Sequence, residues 1–347
     1  MPGSLTLQPL PNASFGALAR FADAAEACAV VAAAEATGED LPAALMQARG
    51  LLVLTGMQGI SETPELLLRL SRIFGPEVEN YHHTLMDKNN VHPMVPEIYV
   101  VSNIPPSTLK PPPPPDPPRT AEGGLPTRFP HRRGWHTDQS FRRPPPDISL
   151  FYADMPAPRS QGQTLYADGF AAYAALSDDL KARIQGLEGL HVIPGTGRSE
   201  YAVRAGETPQ DLMAHQRAQP QPVVRRHPVS GEPALYLCEA GQMDWIEGPF
   251  VGLPLGPDGE GAALLYRLMT HFTQPAFTYV HDWNEGDLVI YDNRCLIHCA
   301  TWYDAARYRR RMWRTTVWGN PGSEYAGKSR SWIPAGKVEQ AADFAGP

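Results

Sequence analysis

The sequence predicts a mainly β protein, a sandwich or barrel decorated with peripheral helices. Short apolar runs rich in β-branched and aromatic residues recur after Leu51, most of them bounded by glycine, proline or aspartate, as strands require. Helical periodicity instead gathers early while strands dominate late, which favours packed β layers over alternating β–α units. At 347 residues the chain is longer than a minimal domain, but β enzymes of this length are often one domain with insertions. The expectation is a single domain over residues 1–347 with an insertion at about 105–118. No internal repeat is evident.

In chain order, the spacing predicts helices over about Ala17 to Glu35 and Leu41 to Arg49, then a buried strand at Leu51–Leu54 before Thr55-Gly56. Thr63 to Phe74 reads as a helix: Thr63 can cap, Pro64 suits the first turn, and Leu66, Leu67, Leu70 and Ile73 form an apolar stripe. A strand follows at Glu97 to Ser102. Nine of the fourteen residues from Pro105 to Pro118 are proline, so that segment is extended, poor in backbone donors and no central strand. It reads as an exposed spacer or as a stiff lid over a site. Further strands are expected at Asp147–Tyr152, Thr164–Asp168, Leu235–Leu237, Phe277–Val280, Leu288–Tyr291 and Arg311–Trp318. Helices are expected at Ala171–Leu187, divided where Ser177 can cap, and from about Gly259 to Phe272.

A formal net charge of −7 argues against a general nucleic-acid binder, and no apolar run is long enough to span a membrane. Arginines cluster locally at 132–133, 142–143 and 307–314. Such clusters suit a small anion, or, for Arg142-Arg143, a solvated, salt-bridged face. Cys28, Cys238, Cys295 and Cys299 lack CxxC spacing and do not form a disulfide framework. With no charged leader before an apolar run, the expected setting is the reducing cytoplasm.

The segment Gly134-Trp135-His136-Thr137-Asp138 carries the strongest chemical signal. On a strand, side chains two apart share a face, so His136 and Asp138 can meet one ion while Thr137 points away. His298, far downstream, can supply a third ligand from a neighbouring strand. Two imidazoles and one carboxylate on one face of an octahedral ion leave the other face open, an arrangement suited to non-haem Fe(II). By itself the tripeptide also fits a solvated loop. Downstream, strand parity lets Arg310 and Arg314 point inward together, which would be costly without anions to pair with. Parity alone leaves a solvent-facing arrangement open.

These residues resemble the taurine and 2,4-dichlorophenoxyacetate dioxygenases. The resemblance is carried by Trp135-His136-Thr137-Asp138 with Phe141, by Gly162-Gln163-Thr164-Leu165-Tyr166, by Gly286-Asp287-Leu288-Val289-Ile290-Tyr291-Asp292-Asn293-Arg294 running into His298, and by Arg310-Arg311-Met312-Trp313-Arg314. It covers about Leu51 to Gly319. It implies a double-stranded β-helix core, that is, a jelly roll of cupin type. It also implies Fe(II), 2-oxoglutarate and dioxygen, with His136, Asp138 and His298 as metal ligands and catalytic centre. Thr164 and Arg310 then hold the distal carboxylate of 2-oxoglutarate, and Arg314 and, more remotely, Asn80 meet the substrate; Arg132 or Arg133 lies where another contact occurs. The implied reaction hydroxylates a small organic anion (a sulfonate, sulfate ester, or aryloxy or aliphatic carboxylate) and releases succinate and CO2. Family members form dimers or tetramers, so a homo-oligomer is implied.

The chain departs from the family pattern in several places. One extra residue separates His298 from Arg310, so Arg309 fits by count and Arg310 by motif; parity with Arg314 favours Arg310. Asn80 stands where taurine users carry histidine, the proline-rich segment is an addition, and the first fifty residues lack the family's opening motif. Two other readings remain: hydroxylation of an amino acid or natural-product intermediate, and a non-catalytic jelly roll binding zinc at the same three residues.

Overall fold

The computed structural model describes residues 5–37, 40–84, 87–213, 216–239, 241–319 and 331. The strands are β1 (Gln8–Pro9), β2 (Ala17–Arg20), β3 (Leu51–Thr55), β4 (Tyr99–Ser102), β5 (Ile148–Met155), β6 (Thr164–Asp168), β7 (Glu188–His191), β8 (Gln219–Pro222), β9 (Val224–Arg226), β10 (Pro233–Leu235), β11 (Thr278–His281), β12 (Leu288–Asp292), β13 (Leu296–Ala300) and β14 (Arg311–Val317). The helices are α1 (Ala24–Thr37), α2 (Asp40–Gln47), α3 (Gly59–Glu62), α4 (Glu65–Phe74), α5 (Tyr81–Thr84), α6 (Gly169–Ala174), α7 (Asp178–Ile184), α8 (Glu200–Arg204) and α9 (Glu260–Phe272).

A large mixed sheet runs in the order β1-β2-β3-β12-β5-β14-β4, with β2 and β3 parallel and the other described pairs antiparallel. A smaller antiparallel sheet runs β11-β6-β13. Alternation along the strands sorts their side chains into layers. Leu52, Leu54, Ile148, Leu150, Tyr152, Leu288, Ile290 and Trp313 face outward from the large sheet onto Val31, Leu41, Leu45, Leu66, Leu67 and Leu70 of α1, α2 and α4. Their strand neighbours Leu51, Val53, Ala153, Val289, Tyr291 and Met312 face inward and join Tyr166, Tyr279 and Leu296 of the small sheet. The outer face of that sheet, through Leu165, Ala167, Ile297 and Cys299, packs on α7 and α9. The result is two facing sheets, each backed by helices. The inner layer is where polar side chains from both sheets converge.

Several expectations change in the structure. Ala17–Arg20 is a strand, because parallel pairing with β3 from Ala17↔Leu52 to Arg20↔Thr55 overrides the helical preference of an alanine-rich segment. Thr63 gives α4 no side-chain cap; Pro64 occupies that position and the Thr63 carbonyl accepts from Leu66 instead. Ser177 does divide the next helical stretch, its hydroxyl accepting from the Leu180 N–H at the start of α7. The proline-rich segment holds no regular element. None of the described helices is long and apolar enough to cross a membrane.

Candidate metal and co-substrate site

His136 is not on a regular strand. It forms one isolated bridge with His298 of β13, through His136 N–H to His298 O at 2.9 Å and His298 N–H to His136 O at 2.7 Å, and the chain then turns at Asp138. That bridge brings together two histidines 162 positions apart. Asn293, at the β12–β13 turn, fixes the rest: its side-chain oxygen accepts from the Asp138 N–H at 3.2 Å and the Thr137 hydroxyl donates to its backbone carbonyl at 2.8 Å. Thr137 therefore points away from the site, as alternation requires. The donor atoms of His136, Asp138 and His298 all lie within 4.8 Å of one another.

Their surroundings select which atoms face inward. His136 Nδ1 lies 2.7 Å from the Gly134 carbonyl, so Nδ1 carries the proton and Nε2 is left as a lone-pair donor, 4.0 Å from Asp138 Oδ1. His298 Nε2 lies 3.9 Å from the same oxygen. The other Asp138 oxygen, Oδ2, accepts from Ser149 Oγ at 2.8 Å and from the Tyr291 hydroxyl at 2.7 Å. Burial lowers both histidines, His298 to about 3, which keeps them neutral and able to ligate. Burial alone would raise the Asp138 carboxyl, yet Arg314 holds it well below the usual carboxylate range. A neutral imidazole pair beside an ionised carboxylate, buried and braced from behind, fits a divalent cation.

Arg314 corrects an expectation. It is not an unpartnered cation awaiting an anion: its Nη1 donates to Asp138 Oδ1 at 2.5 Å and its guanidinium lies over the Tyr99 ring. Arg310 has the opposite character. It is 5% exposed, one Nη donates to the Gly162 carbonyl at 3.3 Å, and Nε has no partner among the described residues. Burial pushes it down to about 10, and only Tyr303 and Tyr166, neither a carboxylate, act against that. Gly162 must be glycine here: its φ is +60° and a Cβ would meet Arg310 Nε at 3.2 Å. Arg309 is exposed. Thr164, two residues beyond Gly162, accepts from Trp283 Nε1 at 3.0 Å, which leaves its hydroxyl proton to donate.

Asn80 is not brought to this constellation by any described contact. Its amide reaches Glu97 at 3.4 Å and its oxygen accepts from the His82 N–H, so it braces the start of α5. Arg142 is also unlike its expectation: it is buried, paired to the equally buried Glu79 at 2.8 Å, and lies over Trp318. Gln139 joins the same carboxylate. Arg132 is buried and Arg133 is exposed over Tyr201.

Sequence reasoning missed Ser149, Tyr291, Asn293 and Glu239. Tyr291 and Ser149 were legible only as inward strand positions, since β12 and β5 place them opposite each other. Glu239 carried no pattern, yet it is buried, its N–H donates to the Trp135 carbonyl at 2.8 Å, and its carboxyl accepts from the Gly134 N–H. Burial raises it to about 7. The folded protein thus holds a proton that the unfolded chain has released, and stability should fall as pH rises from about 4.5 to about 7. Glu239→Gln is expected to abolish that fall, gaining on the parent between pH 5 and pH 8 by on the order of 3 kcal/mol in chemical denaturation. Equal differences at both pH values would contradict it.

A second cluster, His227, Asp292 and Cys295, has metal-like spacing but is already satisfied. His227 Nδ1 accepts from the Val229 and Ser230 N–H groups, Nε2 donates to Asp292 at 2.9 Å, and Arg294 grips both Asp292 oxygens.

Two facing sheets thus hold between them a two-histidine, one-carboxylate constellation of metal-ligand type, and a buried arginine, Arg310, that meets no carboxylate among the described residues. The chain belongs to the taurine catabolism dioxygenase TauD, TfdA family, whose pattern it matches over residues 16–316. It is 34% identical over 205 residues to the alpha-ketoglutarate-dependent 2,4-dichlorophenoxyacetate dioxygenase of Burkholderia sp. (strain RASC), covering 57% of this chain and 62% of that one. It is 33% identical over 196 residues to the (S)-phenoxypropionate/alpha-ketoglutarate-dioxygenase of Sphingobium herbicidovorans, covering 56% and 64%. The match thus spans a little under two thirds of each relative's length. The crystal structure of AAD-2 in complex with Mn(II) and N-oxalylglycine superposes with a TM-score of 0.61 at 25% identity, over 91% of this chain and 98% of that one.

Proposed function

We propose that this protein is an Fe(II)- and 2-oxoglutarate-dependent dioxygenase that hydroxylates a small organic molecule, an anion in the preferred reading, with release of succinate and CO2. The observation that carries this reading is the occurrence, with the His136, Asp138, His298 donor set, of Arg310, a buried guanidinium with no carboxylate partner among the described residues. His136 and His298 through Nε2 and Asp138 through Oδ1 would hold the metal; Arg310 and Thr164 would hold the far carboxylate of 2-oxoglutarate. When bound, iron and 2-oxoglutarate would supply the oxidising power for a reaction with dioxygen.

The chain's own residues do the positioning. Ser149 and Tyr291 fix Asp138 Oδ2, which leaves Oδ1 toward the two histidines, where it would meet a metal, and Gly134 fixes the His136 ring. Tyr166 and Tyr291, packed 5.9 and 4.8 Å from the His298 ring, wall the site from bulk water. Arg314 neutralises Asp138 through the same Oδ1, and a metal held there would take its place.

The same reading takes the core as a double-stranded β-helix and the chain as one domain with a proline-rich insertion. The facing sheets and the neighbour's fold support the first. Four free cysteines suit a reducing, cytoplasmic setting. Anaerobic addition of 2-oxoglutarate to the Fe(II)-loaded protein should produce a weak visible charge-transfer band. Intact metal binding without that band would remove 2-oxoglutarate from the assignment.

A further inference from the structure

Strand β11 pairs with β6 as far as His281, which stands opposite Thr164, and the turn that follows carries Trp283. Asp287 ties that turn, its side chain accepting from the Asn284 N–H at 2.8 Å and its own N–H donating to the Asn284 carbonyl at 3.1 Å. The indole is buried and packs against two rings nearly perpendicular to it, His281 at 4.3 Å and Phe151 at 5.3 Å between centroids. His281 is held in turn: its Nδ1 lies 3.0 Å from the Tyr279 hydroxyl and its Nε2 3.3 Å from Asp287. These neighbours set the plane of the indole, and with it the direction of its N–H.

That N–H donates to Thr164 Oγ at 3.0 Å. An indole nitrogen can only donate, whereas a threonine hydroxyl has one proton and two lone pairs and can turn to act either way. With a lone pair already engaged by Trp283, the Thr164 proton is directed to a different acceptor. Among the described residues this hydroxyl makes no other hydrogen bond. Arg310 has the same polarity, since a guanidinium only donates, and it lies 5.9 Å from the centre of the same Phe151 ring. Phe151 therefore packs against both arms of the clamp, Arg310 directly and Thr164 by way of Trp283. With both arms presenting donors, the clamp suits an ionised carboxylate, which only accepts.

We propose that Trp283 is a positioning residue for the co-substrate: by donating to Thr164 it fixes that hydroxyl as a donor toward the far carboxylate of 2-oxoglutarate. This rests on the 2-oxoglutarate reading and extends it to a residue that acts only through Thr164. Without the indole N–H the hydroxyl is free to turn, and part of its bond to the carboxylate is lost.

The test is a double-mutant cycle, read by calorimetric titration of 2-oxoglutarate into the Mn(II)-loaded full chain. Its members are Thr164→Val and the replacement of Trp283 by 3-benzothienylalanine, which keeps the bicyclic shape and has sulfur in place of N–H. Thr164→Val is expected to weaken binding about tenfold, the upper range for one hydrogen bond. The isostere at 283 is expected to weaken it about fivefold in the parent and by less than about twofold in Thr164→Val, where no hydroxyl remains to be oriented. Trp283→Phe should show the same coupling, together with a lower melting temperature from lost packing. Equal weakening by the isostere in both backgrounds would make Trp283 a packing residue and overturn the proposal, as would a parent affinity that the isostere leaves unchanged. A parent that takes up Mn(II) but gives no heat with 2-oxoglutarate would remove the co-substrate reading and this proposal with it. A parent that binds 2-oxoglutarate in a cycle without coupling would remove the role of Trp283 alone.

Discussion

Replacing Asp138 with asparagine is expected to cost at least ~100-fold in Mn(II) or Fe(II) affinity and to abolish 2-oxoglutarate turnover. Loss of a partner that merely orients a ligand already costs 10–100-fold, and here the ligand itself loses its charge. The amide can still accept from Ser149 and Tyr291, so the pocket keeps its shape. What changes is electrostatic: two neutral imidazoles remain without the anion that offsets a divalent charge. Arg314 also loses its partner, so the metal-free variant should melt below the parent. The decisive readout is the melting temperature with and without Mn(II). A bound ion stabilises the parent by mass action and should leave Asp138→Asn unmoved. A variant stabilised by Mn(II) as fully as the parent would show that the ion binds elsewhere.

Arg310→Met should separate binding from stability. A buried guanidinium that meets a carboxylate through charge-assisted hydrogen bonds contributes several kcal/mol to that contact, so KM for 2-oxoglutarate should rise by about 10²–10³. In the protein without co-substrate the same charge is desolvated and lacks a counter-ion, which is why burial lowers its pKa to about 10. Methionine of similar length removes that burden, and the variant should melt at or above the parent temperature despite losing the contact to Gly162. Arg310→Lys should fall between, since an ammonium keeps the charge but not the planar fork. An unchanged KM in Arg310→Met would remove it from the co-substrate site, and a large loss of stability would make it a structural residue.

Much of this was legible in the chain. The strands at Leu51, Thr164, Leu288 and Arg311 announced themselves by short apolar runs between turn residues, and all four form. Met312 lies in the inner layer and Trp313 in the outer one. Arg310, however, read by parity with Arg314, precedes β14, and a register shift falls between Arg311 and Met312, so strand alternation does not by itself account for its burial. Where reading failed, a distant partner had decided the outcome. Ala17–Arg20 is helical by composition and a strand by pairing with β3. Arg142 sits among arginines and prolines that suggest a wet surface, yet Glu79, sixty-three positions earlier, draws it inside. The H-x-D segment has strand spacing but is held by one bridge and by Asn293.

The sequence by itself determined the chemistry on offer: two histidines and a carboxylate in metal-ligand types, an arginine-rich strand, and a stiff proline segment that no sheet could absorb. These follow from residue type and local spacing, which are properties of short stretches of chain. Only the tertiary structure decided which charges remain available. Arg314 is matched by Asp138, Arg142 by Glu79 and Arg294 by Asp292, whereas Arg310 and Arg132 are buried with no described carboxylate partner. The physical reason is that a buried charge takes its meaning from what lies within a few ångströms, and those neighbours come from parts of the chain far apart in sequence.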